Sequence, residues 1–139
     1  MNKVSSWVIS YLIILAYYLA FDLTMIKLYN GAAFGKMIKK IQGSEMTLRI
    51  IPSILAFLLL AFGLKYFIID KVSEENIVWD SFRYGFTFGI VVYGVYDLTN
   101  LGIIKDYTYQ VGIIDMLWGG FVNFIVVLLA KLTMLRINP

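Results

Sequence analysis

Tyr93-Gly94-Val95-Tyr96-Asp97-Leu98-Thr99-Asn100, a polar interval at Lys105-Asp106, and Asp115-Met116-Leu117-Trp118-Gly119-Gly120 together decide how this chain is read. Both outer strings lie in long apolar segments, and Lys105-Asp106 is the only charged interval between Asp97 and Asp115. Two such segments joined by so short a polar break predict an antiparallel pair of membrane helices. Asp97 and Asp115 are each nine residues from Asp106. At the rise of an α-helix, both carboxyls then lie about 13 Å from the turn, at one depth in the bilayer.

Composition extends this reading to the whole chain. Of 139 residues, 60% are hydrophobic and only 15% charged, where a soluble domain carries roughly a quarter charged residues. The charges are bunched, which leaves long uncharged runs between them. The net charge of +3 is modest, and neither a basic face nor a reading motif for nucleic acid is present. Cysteine and histidine are both absent. That removes disulfides, thiol nucleophiles and thiolate or imidazole metal sites, and no cofactor motif is found. A metal, if bound, would have to be a hard cation held by oxygen.

Taken from its start, the chain predicts an all-α integral membrane four-helix bundle in a single domain spanning residues 1–139, with helices over about 4–28, 47–69, 81–100 and 109–134. The first run is too long for a signal-peptide core and has no convincing cleavage site, so it reads as a retained helix. Tyr18 and Asp22 share one of its faces. Between helices 1 and 2, Phe34, Met37, Ile38 and Ile41 recur at helical spacing opposite Lys36, Lys39 and Lys40. This is the pattern of a short basic amphipathic helix, about 31–42, lying in the membrane interface. In helix 2, Pro52 falls where a missing amide costs little, and Lys65 is placed to snorkel toward the headgroups. Residues 70–80 read as an exposed loop with Trp79 as an interfacial anchor.

Gly85-x-x-x-Gly89 on helix 3 permits close approach of a neighbouring backbone, and Gly119 on helix 4 belongs to a stripe with Asp115 and Asn123. Lysines and arginines divide six to each side of the membrane: Lys3, Lys65, Lys71, Arg83, Lys131 and Arg136 against Lys27, Lys36, Lys39, Lys40, Arg49 and Lys105. The positive-inside rule therefore leaves orientation undecided, although the basic flank after the first helix favours the 29–46 side as cytoplasmic.

Alternating helix directions put Asp22 in the same half of the membrane as Asp97 and Asp115. Three ionised aspartates together in low dielectric would repel, so one should hold a proton or face a cation. The expected site is a polar pocket open to the 104–108 side, formed by Asp22, Asp97 and Asp115. Asn100, Thr99, Tyr93 and Tyr96 would add neutral hydrogen bonds, with Trp118 beside them. A purely structural reading stands next to this one. Asp97, Thr99 and Asn100 would break or cap helix 3, and Asp115 would bond Trp118 or Tyr96 as interhelical glue.

Tyr96-Asp97-Leu98-Thr99-Asn100-Leu101 followed by Asp115-x-x-Trp118-Gly119 resembles a family of predicted four-helix membrane proteins, domain of unknown function 2177. Phe21-Asp22-Leu23 and the stretches Leu28-Tyr29 and Phe34-Gly35 resemble its first-helix pattern, with Leu23-Thr24-Met25 departing from the small and aromatic residues usual there. The resemblance implies one four-helix membrane domain and brings no activity with it. From the residues, the leading expectation is a small multi-pass protein that binds or conducts a cation, proton or small polar ligand. The second is an intramembrane lipid-modifying enzyme using paired carboxyls as acid and base, set back by the lack of an activated nucleophile. The third is an assembly protein. Expected partners are membrane lipids, the cation or polar ligand, and further copies of the chain where a conduction path requires them.

Overall fold

The computed structural model describes residues 3–25, 27 and 31–137. Ile26, the Leu28-Tyr29 string and Pro139 lie outside the described residues. Helix α1 spans Lys3–Met25 and α2 spans Gly31–Gln42. Three further helices follow: α3 over Ile50–Lys71, α4 over Ile77–Ile103 and α5 over Tyr109–Ile137. All but α2 are long and apolar enough to cross a bilayer.

Each boundary has a local cause. Pro52 sits in the first turn of α3, where its lack of an N–H removes no helical bond. The end of α3 loosens into a π-helical turn, Leu64–Ile68, and then a 3₁₀ turn, Ile69–Lys71. Helix α4 begins four residues earlier than its polarity suggests, at Ile77, and widens into a π-helical turn over Ser81–Phe86. It then continues through Asp97, Thr99 and Asn100 to Ile103. Those three residues do not break the helix; the break falls at Ile104, whose backbone is extended.

The spanning helices alternate in direction. On α1 and α3, Tyr11 donates to the Leu58 carbonyl at 3.1 Å, while Trp7 lies against Phe62 and Tyr18 against Phe57. On α1 and α5, Tyr17 pairs with Thr133, Tyr18 with Asn123 and Asp22 with Trp118. Numbers rise on one helix as they fall on the other, so both pairs are antiparallel. Helix α5 holds the centre: Val122, Val126, Val127 and Ala130 join Ile14 and Tyr18 of α1 and Ala61, Leu64 and Ile68 of α3 in one core.

Glycines set the closest approach. A Cβ on Gly89 would overlap the Gly119 carbonyl, and one on Gly85 would stand 2.9 Å from the Asn123 carbonyl oxygen. Backbone therefore meets backbone along α4 and α5, the contact that small residues permit in membranes. The reading of Lys65 as a snorkelling residue is corrected. Its side chain is 7% exposed, and its ammonium donates to both oxygens of Asp70, at 3.0 and 3.2 Å. The opened π turn and the 3₁₀ turn bring Asp70 back over it, so the ammonium meets a carboxylate that is itself 79% exposed at the end of α3.

Candidate functional site

The tight packing of α4 on α5 fixes where the carboxyls can go. In this antiparallel register Gly85 faces Asn123, Gly89 faces Gly119, Gly94 faces Met116 and Asp97 comes against Gly112. Because Gly112 has no side chain, Asp97 fits between the helices and is 1% exposed. Its Oδ1 accepts a 2.6 Å hydrogen bond from the Tyr107 hydroxyl, supplied by the turn that joins α4 to α5. Its Oδ2 is buried with no donor. Asp115, one turn further along α5, lies within hydrogen-bonding reach of Asp97.

Asp22 goes elsewhere. Its Oδ1 accepts from the Trp118 indole at 2.8 Å, tying α1 to α5, and it also engages Tyr93. The Trp118 indole therefore serves Asp22; of the two partners expected for Asp115, Trp118 and Tyr96, Tyr96 lies within its electrostatic reach. Tyr93 links the two groups: it bonds Tyr18, and its neighbours include both Asp22 and Asp115. Tyr18 in turn donates to Asn123 Oδ1 at 2.8 Å, and Asn123 Nδ2 donates to the Gly119 carbonyl at 2.7 Å. A polar chain thus runs from the turn to mid-bundle, at Asn123. Below it the core is apolar, at Val126, Val127 and Ala130.

The remaining expected residues sit at the edge. Asn100 engages both Tyr96 and Tyr107, whereas Thr99 is exposed on the outer face of α4. Tyr96 is 52% exposed. It borders a groove of about 460 Å3 between α3 and α4, walled by Leu59, Leu60, Phe88 and Val92 and ending at Tyr93 and Asp115. Among the described residues no three carboxylates assemble into a set that would hold a metal ion. Tyr107 is the residue that sequence reasoning passed over, while it places Tyr18 and Asn123 on aspartate-bearing faces but outside the expected site. Tyr18 and Asn123 carry a signal, each sharing a helical face with an aspartate; Tyr107 carries none, because only the fold of the turn aims it at Asp97.

On the turn side, α2 covers this site. Phe34 packs edge-on against Tyr107 at 6.5 Å, Thr108 N–H donates to Met37 Sδ at 3.3 Å, and Lys40 pairs with Asp106 at 2.8 Å. The hydrogen bond from Lys40 and the charge behind it hold the Asp106 carboxyl below the usual range. Burial, then the bond to Asp97 and its charge, push the Tyr107 phenol up, so it remains a donor.

The sequence profile of the family described as "Predicted membrane protein (DUF2177)" matches residues 7–132, and the chain belongs to that family. It is an all-α membrane protein with four helices long and apolar enough to span. No curated protein and no solved structure matches it.

Proposed function

We propose that this member of the DUF2177 family binds a proton between Asp97 and Asp115, taken up from the 104–108 side of the membrane. The observation that carries the reading is Asp97 Oδ2, buried without a donor and beside a second carboxyl. Two ionised carboxylates would face each other acceptor to acceptor in low dielectric. One shared proton removes the repulsion and supplies the missing donor. A hydrogen-bond donor, the Tyr107 hydroxyl, meets the pair at Asp97. Such a group suits a carboxylate or a shared proton. The tyrosine chain to Asn123 offers relay positions, but the apolar core beyond it favours proton binding from one side over free conduction.

Infrared difference spectra of the full chain in lipid nanodiscs test this directly. A protonated-carboxyl C=O band is expected in the wild type near neutral pH. It should vanish in Asp97→Asn and in Asp115→Asn and persist in Asp22→Asn. A wild type without the band, or a band that survives both pair substitutions, would sink the proposal.

The groove favours one further reading. An acyl or isoprenoid chain lying along Leu59 and Phe88 would bring a lipid's polar end to Asp115, with the carboxyl pair supplying acid and base. In that case a host carrying Asp115→Asn accumulates the unmodified lipid. An unchanged lipid profile removes this reading and leaves proton binding standing.

A further inference from the structure

We propose that the cleft between α2 and the start of α5 is a binding site for the phosphate of an anionic phospholipid. It rests on residues other than the carboxyl pair and stands or falls without it.

The cleft has a volume of about 300 Å3 and is lined at its mouth by Lys36, Lys40, Thr108 and Gln110. Lys36 and Lys40 are one helical turn apart, so both ammonium groups serve the same opening. Lys40 is steadied there by Asp106, while Lys36 has no ion-pair partner among the described residues. One cationic group is thus held in place and a second is left for an incoming anion. The amide of Gln110 adds a neutral hydrogen-bonding group of the kind that seats a phosphate, while the hydroxyl of Thr108 points to Met37 Sδ at 3.6 Å. Inward from the mouth the lining changes character, to Val111 and Ile114. These follow α5 toward its membrane-spanning part, so charge gives way to apolar surface over about one turn. A free phosphate would use only the mouth; a phospholipid would use both parts. The position agrees, because α2 is a basic amphipathic helix beside the ends of spanning helices, where anionic headgroups concentrate. Lys39 offers an internal comparison. It is on the same helix but bonds Glu45 and lies outside the cleft.

The test is lipid retention by the detergent-solubilised full chain, titrated with phosphatidylglycerol or phosphatidylcholine and counted by native mass spectrometry. Wild type and Lys39→Gln should retain phosphatidylglycerol in preference to phosphatidylcholine. Lys36→Gln, which leaves the Lys40–Asp106 pair intact, should weaken retention about fivefold, the scale of one lysine at an anionic surface. Adding Lys40→Gln should weaken it further, and millimolar inorganic phosphate should not displace the lipid. Equal retention of the two lipids, equal losses in Lys39→Gln and Lys36→Gln, or ready displacement by phosphate would each overturn the proposal.

Discussion

A single phenol from the turn bears the buried end of Asp97. Replacing Tyr107 by Phe removes the donor to Oδ1 of a 1%-exposed carboxyl. Losing a hydrogen bond to a charged group costs about 1.5–3 kcal/mol, and thermal unfolding in detergent should register a loss on that scale. If Tyr107→Phe unfolds with wild-type stability, the bond is not supporting the carboxyl. The Asp22–Trp118 contact invites a smaller number. Interhelical bonds inside membranes average about 0.6 kcal/mol by double-mutant cycles and reach about 1.7. A cycle of Asp22→Ala with Trp118→Phe should fall in that range, and a coupling near zero would mean that α1 is held by packing alone. Part of this was legible beforehand: equal spacing from Asp106 puts Asp97 and Asp115 at one depth, and the two do meet. Asp22 meets this pair through Tyr93 and bonds Trp118 directly. Depth follows from counting residues, whereas position around a helix axis depends on which neighbour packs there, and Trp118 claims Asp22 first.

Helices α4 and α5 approach as closely as they do because their facing residues are small. Gly89→Leu should disrupt the pair, since even a Cβ there meets the Gly119 backbone, which cannot swing aside as a side chain could. A loss of several kcal/mol, or failure to yield folded protein, is expected. Gly102→Ala is the comparison: its Cβ would meet nothing within 4 Å, so the change should be neutral or favour the helix by up to about 1 kcal/mol. Equal damage from both would remove the packing argument. The glycines Gly85, Gly89 and Gly119 were readable from spacing as packing residues; which of them face each other was not, because helical periodicity does not say which stripe meets which. Helix α2 carries a pH dependence through Lys40–Asp106. The native Asp106 carboxyl lies below its ordinary range, so this anchor is present above the unfolded carboxylate's pKa and lost as pH falls through the depressed native one. The chain has no cysteine, so spin labels at cysteines introduced for Lys39 and Lys105 would report it. Their distance should hold at neutral pH and broaden on acidification in the wild type, and be broad at both in Asp106→Asn. A distribution independent of both pH and substitution would mean that Phe34 and Met37 dock α2 unaided.

At the level of the molecule, the outer surface is the lipid-facing one. Leu59, Val91, Val95, Leu98, Ile113 and Leu117 are all about half exposed or more, an arrangement a bilayer accommodates and water does not. That four-span architecture could be read from hydropathy because lipid imposes a length on every helix that crosses it. Arrangement around the bundle could not, because lipid imposes no such rule. What the structure adds is a centre. Helix α5 supplies Trp118 to α1, Asn123 to Tyr18, and Gly119 to α4, and its valines fill the core. Ribosomes deliver helices in chain order, so this common partner emerges after the other three have entered the membrane. Until it arrives, Asp22 and Tyr18 have no indole or amide to meet, and the glycine face of α4 lies open to lipid. Biogenesis must therefore pass through a stage in which three inserted helices carry unsheltered polar groups, a natural point for membrane proteases to inspect the chain. A chain ending at residue 108 should disappear rapidly in a pulse-chase, and co-expression of a separate fragment carrying residues 109–139 should prolong its life.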